Sequence, residues 1–175
     1  MDISKIKIGD NAPEEFNAII EIPAGGNPVK YEIDKESGML IVDRFVATDM
    51  FYPCNYGFVP HTLAEDGDPL DVLVFTHMAV MPASVIKVRP IGVLNMTDES
   101  GRDSKILCVP VNKVTKYYKD IKTYKDLPEL TLAQIKHFFE HYKGLEEGKW
   151  VKVEDYQGVD EAKAQINDSI KRYKH

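Results

Sequence analysis

The chain has no long apolar run, few cysteines and no excess of positive charge. Its most apolar stretch, Val72 to Ile86, is broken by Thr76, His77 and Pro82, which excludes a membrane-spanning helix there. Two cysteines, Cys54 and Cys108, are too few for a disulfide framework, and both sit among apolar or turn residues. Buried free thiols are expected, as in a reducing cytoplasm. The net charge of −6 argues against general binding to nucleic acid or an anionic membrane, which needs a basic face. The opening residues Met1-Asp2-Ile3-Ser4-Lys5-Ile6-Lys7 contain no apolar signal core. No repeat, low-complexity tract or Gly/Ser linker divides the chain, so residues 1–175 are expected to form a single domain with a proper core.

What is present reads first as strands. Ile19 to Pro23 leads into the turn Ala24-Gly25-Gly26-Asn27-Pro28, and Val29 to Ile33 then alternates with period two. Met39 to Phe45 follows the Ser37-Gly38 turn. Val85 to Met96 and Lys105 to Val114 flank the polar segment Thr97 to Ser104, as in a hairpin with a long loop. Helices come late. Thr131-Leu132-Ala133-Gln134 predicts a capping box with Leu130 and Ile135 as a hydrophobic staple, and Gly144 is placed to end that helix. Val159 to Tyr173 carries Ala162, Ile166, Ile170 and Tyr173 at helical spacing. The class is α+β, a small antiparallel barrel with helices packed on it. Trp150 is expected to pack in the barrel wall.

The chemistry concentrates in Asp66-Gly67-Asp68-Pro69-Leu70-Asp71, where turn formers deliver three carboxylates to the mouth of the apolar strand Val72-Leu73-Val74-Phe75. Alternation puts Asp71, Leu73 and Phe75 on one face, Val72 and Val74 on the other. A carboxylate there is costly without a compensating cation, and three together form an oxygen cage suited to a hard divalent metal. An EF-hand is excluded: its sixth position would be Asp71 rather than Gly, and its twelfth His77 rather than Glu. A second acidic cluster, Asp98, Glu99 and Asp103, lies in the hairpin segment, while Glu21 and Glu32 interrupt apolar alternation on their strands. Read blandly, these are a surface turn, a solvated hairpin tip and edge strands facing water. Taken as one site, eight carboxylates would face Lys30, Arg44, Lys105 and Lys143. Such a site takes a phosphate only when several metal ions reverse the balance.

Asp66 to Val72 carries the Asp-x-Asp-Pro-x-Asp-Val signature of the family I soluble inorganic pyrophosphatases, and Tyr52-Pro53-Cys54-Asn55-Tyr56-Gly57-Phe58-Val59-Pro60 resembles that family's Tyr-rich segment. The resemblance runs from Glu21 to Lys143 and is closest to the short bacterial type. It implies a five-stranded barrel of the OB type with the site at its mouth, and a cytoplasmic homohexamer. It implies Mg²⁺-dependent hydrolysis of pyrophosphate to two orthophosphates, with several Mg²⁺ ions per subunit and other divalent ions possible. By the resemblance Asp66, Asp71 and Asp103 hold one metal, Asp71 is shared with a second, and Asp98 and Asp103 take a third. Glu21 reaches a metal through water, with Glu32 and Glu99 in support. Lys30, Arg44, Tyr56, Tyr142 and Lys143 contact phosphate, Tyr52 and Lys105 rank behind them, and Asp68 is the proton acceptor for a metal-activated water.

Two other readings compete. His137-Phe138-Phe139-Glu140-His141 matches the inverzincin pattern H-x-x-E-H, with Glu146, Glu147 and Glu154 as the nearest third zinc ligands. The same two histidines share a helical face where the resemblance implies subunit contacts. A barrel binding single-stranded nucleic acid would use Tyr52, Tyr56, Tyr117 and Tyr118 as stacking platforms, against the acidic balance of the chain.

Overall fold

A computed structural model describes residues 3–174. Nine strands and two helices follow in the order β1 (Phe16–Ile22), β2 (Val29–Ile33), β3 (Leu40–Phe45), β4 (Asn55–Phe58), β5 (Asp71–Val74), β6 (Val85–Asp98), β7 (Gly101–Arg102), β8 (Lys105–Pro110), α1 (Glu129–His141), β9 (Val151–Gln157) and α2 (Val159–Tyr173). Strands β1, β4, β5, β8 and β6 pair in that order, and β6 pairs back to β1, so five strands close into a ring. This is the expected OB-like arrangement with one correction: β5 and β8 run parallel. A tight hairpin cannot join parallel neighbours, so β6 and β7 intervene between them in the chain. Strands β2 and β3 form a separate two-stranded sheet.

The 14-residue β6 ties the fold together. Its first part pairs with β1, its middle with β8 and its end with β9 and β7. Pro90 is tolerated in so central a strand because the pairing with β8 slips by one residue between Pro90 and Gly92.

Period two sorts the core. On β5, Val72 and Val74 join Phe16, Ile20, Val88, Ile106 and α2's Ala162 and Ile166, while Leu73 joins the cluster beneath α1's Ile135, Phe138 and Phe139. The alternation read from the sequence is therefore the real one, and Asp71 shares the α1 side with Leu73. Both thiols are free and buried, and burial pushes the Cys54 thiol up to about 12. None of the described helices is long and apolar enough to cross a membrane.

Three local expectations fail. Helix α1 starts two residues before the expected cap, at Glu129, with Pro128 as its N-cap and no side-chain cap, and Leu130 is 70% exposed and staples nothing. Pro128 offers no side-chain acceptor, and its carbonyl alone accepts from the Thr131 and Leu132 N–H groups. The capping box forms earlier, at a 3₁₀ turn, where Thr123 Oγ1 accepts from the Lys125 N–H and Asp126 accepts from the Thr123 N–H. Gly144 lies beyond the end of α1 at His141, donates its N–H to the His141 carbonyl and takes no left-handed conformation. Trp150 is not in the wall; it stands half exposed just before β9.

Gly57 is required by space. It faces β1, where an added Cβ would lie 1.9 Å from the Ile19 carbonyl oxygen. Since that neighbour is backbone and cannot swing aside, Gly57→Ala should lower stability by at least ~2 kcal/mol in urea unfolding.

Candidate active site

The parallel register sets Asp71 on β5 beside Lys105 on β8, and the Lys105 ammonium reaches Asp71 Oδ2 at 2.5 Å. Asp103, two residues before Lys105, closes on the same ammonium from the other side. Only 3% of the Lys105 side chain is exposed. Burial by itself would push this ammonium down, but Asp71 and Asp103 hold it well above the usual lysine value. The two carboxylates therefore enter the end of the core as partners of one buried cation.

The cleft opens from this pair, with a volume of about 290 Å³. One wall is the turn before β5. Gly67 has φ +93°, a conformation that suits glycine, and the Asp68 N–H donates to Asp66 Oδ1 at 3.0 Å. Asp66 turns inward and its carboxyl is raised by burial, whereas the Asp68 side chain is 75% exposed and touches Lys35 at 3.2 Å. The opposite wall is the β6–β7 turn. Asp98 accepts from the Ser100 N–H and from the Lys143 ammonium at 2.7 Å, and Glu99 pairs with Lys149 at 2.6 Å. The β2–β3 hairpin contributes Lys30, Glu32 and Arg44, with Lys30 directly across from Arg44. Arg44 is held by Asp43 at 2.7 Å and by Glu146 at 3.3 Å. The floor is aromatic: Tyr52, Tyr56 and Tyr142 are buried and lean on one another and on Phe138, and burial raises all three phenols above their ordinary value.

Glu21 belongs to this centre and not to an edge. Strand β1 is paired on both sides, and Glu21 is 7% exposed. Its Oε1 accepts from the Ile33 N–H at 2.7 Å, which ties the β2–β3 sheet to the ring. Burial raises its carboxyl to about 8 against that hydrogen bond, with Asp71 and Glu32 adding to the rise. Burial likewise raises Asp71 to about 6, partly offset by Lys105.

All of the residues expected from the sequence as one site line this cleft: Glu21, Lys30, Glu32 and Arg44, Tyr52 and Tyr56, Asp66, Asp68 and Asp71, Asp98, Glu99, Asp103 and Lys105, and Tyr142 and Lys143. Lys35 and Lys149 were missed, which makes six cations against the eight carboxylates. Neither carries a motif; each is a lysine in a polar turn. Glu146 was missed as the partner of Arg44. The nucleic-acid reading loses its stacking platforms, and the zinc reading loses one of its three candidate third ligands. Tyr52, Tyr56 and Tyr118 are buried, and the exposed Tyr117 already stacks on His77, with ring centroids 4.3 Å apart; Glu146 is engaged by Arg44.

Eight carboxylates gathered at the end of a core, faced by lysines and an arginine, are the arrangement of a metal-assisted site for a phosphate compound. The family model described as inorganic pyrophosphatase matches residues 18–174. The inorganic pyrophosphatase of Agrobacterium fabrum is 58% identical over 174 residues, covering 99% of this chain and 98% of its own. That of Escherichia coli K12 is 57% identical over 175 residues, covering 100% and 99%. Among solved structures, an inorganic phosphatase from Anaplasma phagocytophilum superposes with a TM-score of 0.96 at 52% identity, covering 98% of this chain and 100% of its own. The inorganic pyrophosphatase of Thermus thermophilus gives 0.94 at 41% identity, covering both chains fully. The chain belongs to the inorganic pyrophosphatase family.

Glu21 yields a pH prediction for the metal-free protein. Its folded-state carboxyl titrates near 8 against an ordinary value of 4.5. The folded state therefore holds the proton more tightly, and stability is lost as pH rises from about 4.5 through about 8. Glu21→Gln, which keeps an acceptor for the Ile33 N–H, should unfold at higher urea than the parent at pH 8.5, by more than ~1 kcal/mol. At pH 4.5 the two should unfold alike.

Proposed function

We propose that this cleft hydrolyses inorganic pyrophosphate to two orthophosphates and that it works with Mg²⁺. The observation that carries the reading is the convergence of eight carboxylates and six cations in one cleft, in a chain whose full-length relatives are named inorganic pyrophosphatases. The donor set fits a hard cation, being all carboxylate oxygen at the acidic centre. The carboxyls of Glu21, Asp66 and Asp71 are raised chiefly by burial, with neighbouring carboxylates adding, so a bound cation would offset the cost of ionising them there. Asp66, Asp71, Asp98 and Asp103 would hold the ions, with Glu21, Glu32 and Glu99 supporting. Bound Mg²⁺ supplies neutralisation of the substrate's charge and a lowered pKa for water.

The chain's own groups do the rest. Lys30, Arg44 and Lys143 grip phosphate oxygens, and Arg44 is pre-oriented by Asp43 and Glu146, so little entropy is lost on binding. The phenols of Tyr56 and Tyr142, raised by burial, stay protonated and donate hydrogen bonds. As the attacking water's oxygen bonds to one phosphorus, the bridging P–O bond breaks, and the cations stabilise the charge gathering on the departing phosphate. Asp68, exposed at the turn and clear of the Lys105 pair, accepts the water's proton.

Phosphate release from pyrophosphate should require added Mg²⁺ and vanish on exhaustive chelation; full activity without metal would overturn the reading. Asp68→Asn should lower kcat by about 10²–10⁴-fold with metal affinity nearly intact. Asp71→Asn should instead weaken metal binding in a titration. Equal loss of metal affinity in both variants would refute the division of roles.

The same proposal includes a homohexamer in the cytoplasm, without nucleic-acid or membrane partners. The family resemblance supports the assembly, and the acidic charge and buried free thiols support the location and the excluded partners. Light scattering should return six times 19.9 kDa.

A further inference from the structure

The sheet is interrupted opposite Asp103. Strand β6 pairs with β8 as far as Leu94 opposite Lys105, and with β7 from Thr97 opposite Arg102. Between those pairs Asn95 and Met96 face Asp103 and Ser104, the two residues that link β7 to β8. Across this gap the Asp103 N–H donates to the Met96 carbonyl at 2.9 Å. A side chain supplies the next bond: the Ser104 hydroxyl donates to Asn95 Oδ1 at 2.9 Å. Asn95 and Ser104 are both buried, with 3% and 8% exposure.

We propose that Asn95 is a positioning residue, whose amide oxygen holds Ser104 on the far face of the sheet and so sets where Asp103 and Lys105 stand on the near face, a role that rests on the proposed metal-holding function of Asp103. Alternation provides the linkage. Leu94 and Met96 pack in the cluster beneath α1, whereas Val93 and Ile106 pack in the one beneath α2. Asn95 and Ser104 therefore belong to the α2 side, and Asp103 and Lys105 line the active-site cleft. Arg102, Ser104 and Gln165 line a second cleft, of about 180 Å³, on the α2 side.

The amide oxygen of Asn95 is a junction. It accepts from the Ser104 hydroxyl, from Gln165 Nε2 of α2 at 3.0 Å and, at the longest, from Arg102 Nη2 at 3.4 Å. A guanidinium only donates, so it is the oxygen of the amide that faces Arg102. Both chain neighbours of Asp103 thus end on one atom. Gln165 is itself fixed by Glu161, one turn earlier on α2, at 2.9 Å. With the residues on either side anchored, the backbone at Asp103 has little room to rotate, and its carboxylate keeps its approach to Lys105. Groups that orient a metal ligand from behind are worth about 10–100-fold in metal affinity. Asn95 acts through the backbone, which places it at the lower end of that range.

The test measures Mg²⁺ binding by calorimetry, without substrate, on the whole chain. Asn95→Ala and Ser104→Ala should each weaken Mg²⁺ binding about 10-fold. The double variant should lose no more than either single one, because both substitutions cut the same bond. Asn95→Asp keeps an acceptor oxygen for all three donors, with Arg102 beside it to pair the added charge, and should bind Mg²⁺ as the parent does. Hydrogen exchange in the metal-free protein is the second readout: the Asp103 N–H should exchange about 10-fold faster in both alanine variants than in the parent. Unchanged exchange at Asp103 would overturn the positioning role. So would Mg²⁺ affinities equal to the parent's, additive losses in the double variant, or an equal loss in Asn95→Asp and Asn95→Ala. A parent that binds no Mg²⁺ would instead overturn the metal reading of the cleft, while exchange at Asp103 still decides the role of Asn95. Should Asn95→Ala fail to fold, Ser104→Ala, which removes a single hydroxyl, carries the same comparison.

Discussion

The buried ammonium of Lys105 between Asp71 and Asp103 is the contact on which the cleft depends. Two carboxylates at the end of a hydrophobic core would repel each other and lose their hydration, and one well-placed cation relieves both costs. That placement follows from the parallel pairing of β5 with β8, which sets Asp71 level with Lys105. Around this pair the remaining acids approach from separate directions: Glu21 from β1, Asp66 from the turn before β5, Asp98 from the end of β6. Each has its own local support, the Ile33 N–H at Glu21, the Asp68 N–H at Asp66 and the Lys143 ammonium at Asp98.

A closed ring explains why so much charge is tolerated. Its strands are packed on one face, the α1 side, by Leu73, Leu107 and the aromatic group, and on the other, the α2 side, by valines and isoleucines of β1, β5 and β6. The polar residues collect where strands end and side chains can reach both the core and water. Tyr52, Tyr56 and Tyr142 form the boundary, burying their rings and turning hydroxyls toward the cleft. The cations follow the same logic. Lys30 and Arg44 face one another across a small hairpin of their own, and Lys143 and Lys149 come from the segment after α1.

Much of this was legible in the sequence because it is local. Alternation along Val72 to Phe75 fixes which side chains share Asp71's face, Gly67 between two aspartates forces the turn, and the spacing of Ala162 and Ile166 makes α2. The signature around Asp66 to Asp71 and the Tyr-rich segment brought the other site residues with them by resemblance, and all of these line the cleft. Local reading failed where two local signals competed. The Thr131 box gave way to Pro128, which starts α1 earlier, while Thr123 and Asp126 capped a turn that periodicity does not mark. Only the tertiary structure decided that β5 and β8 run parallel, that Glu21 is buried, that Glu146 holds Arg44, and that Lys35 and Lys149 complete the cleft. The reason is physical. A residue's face and turn depend on neighbours a few positions away, whereas its partner across a sheet depends on the register between segments tens of residues apart, and that register is chosen by the packing of the whole core.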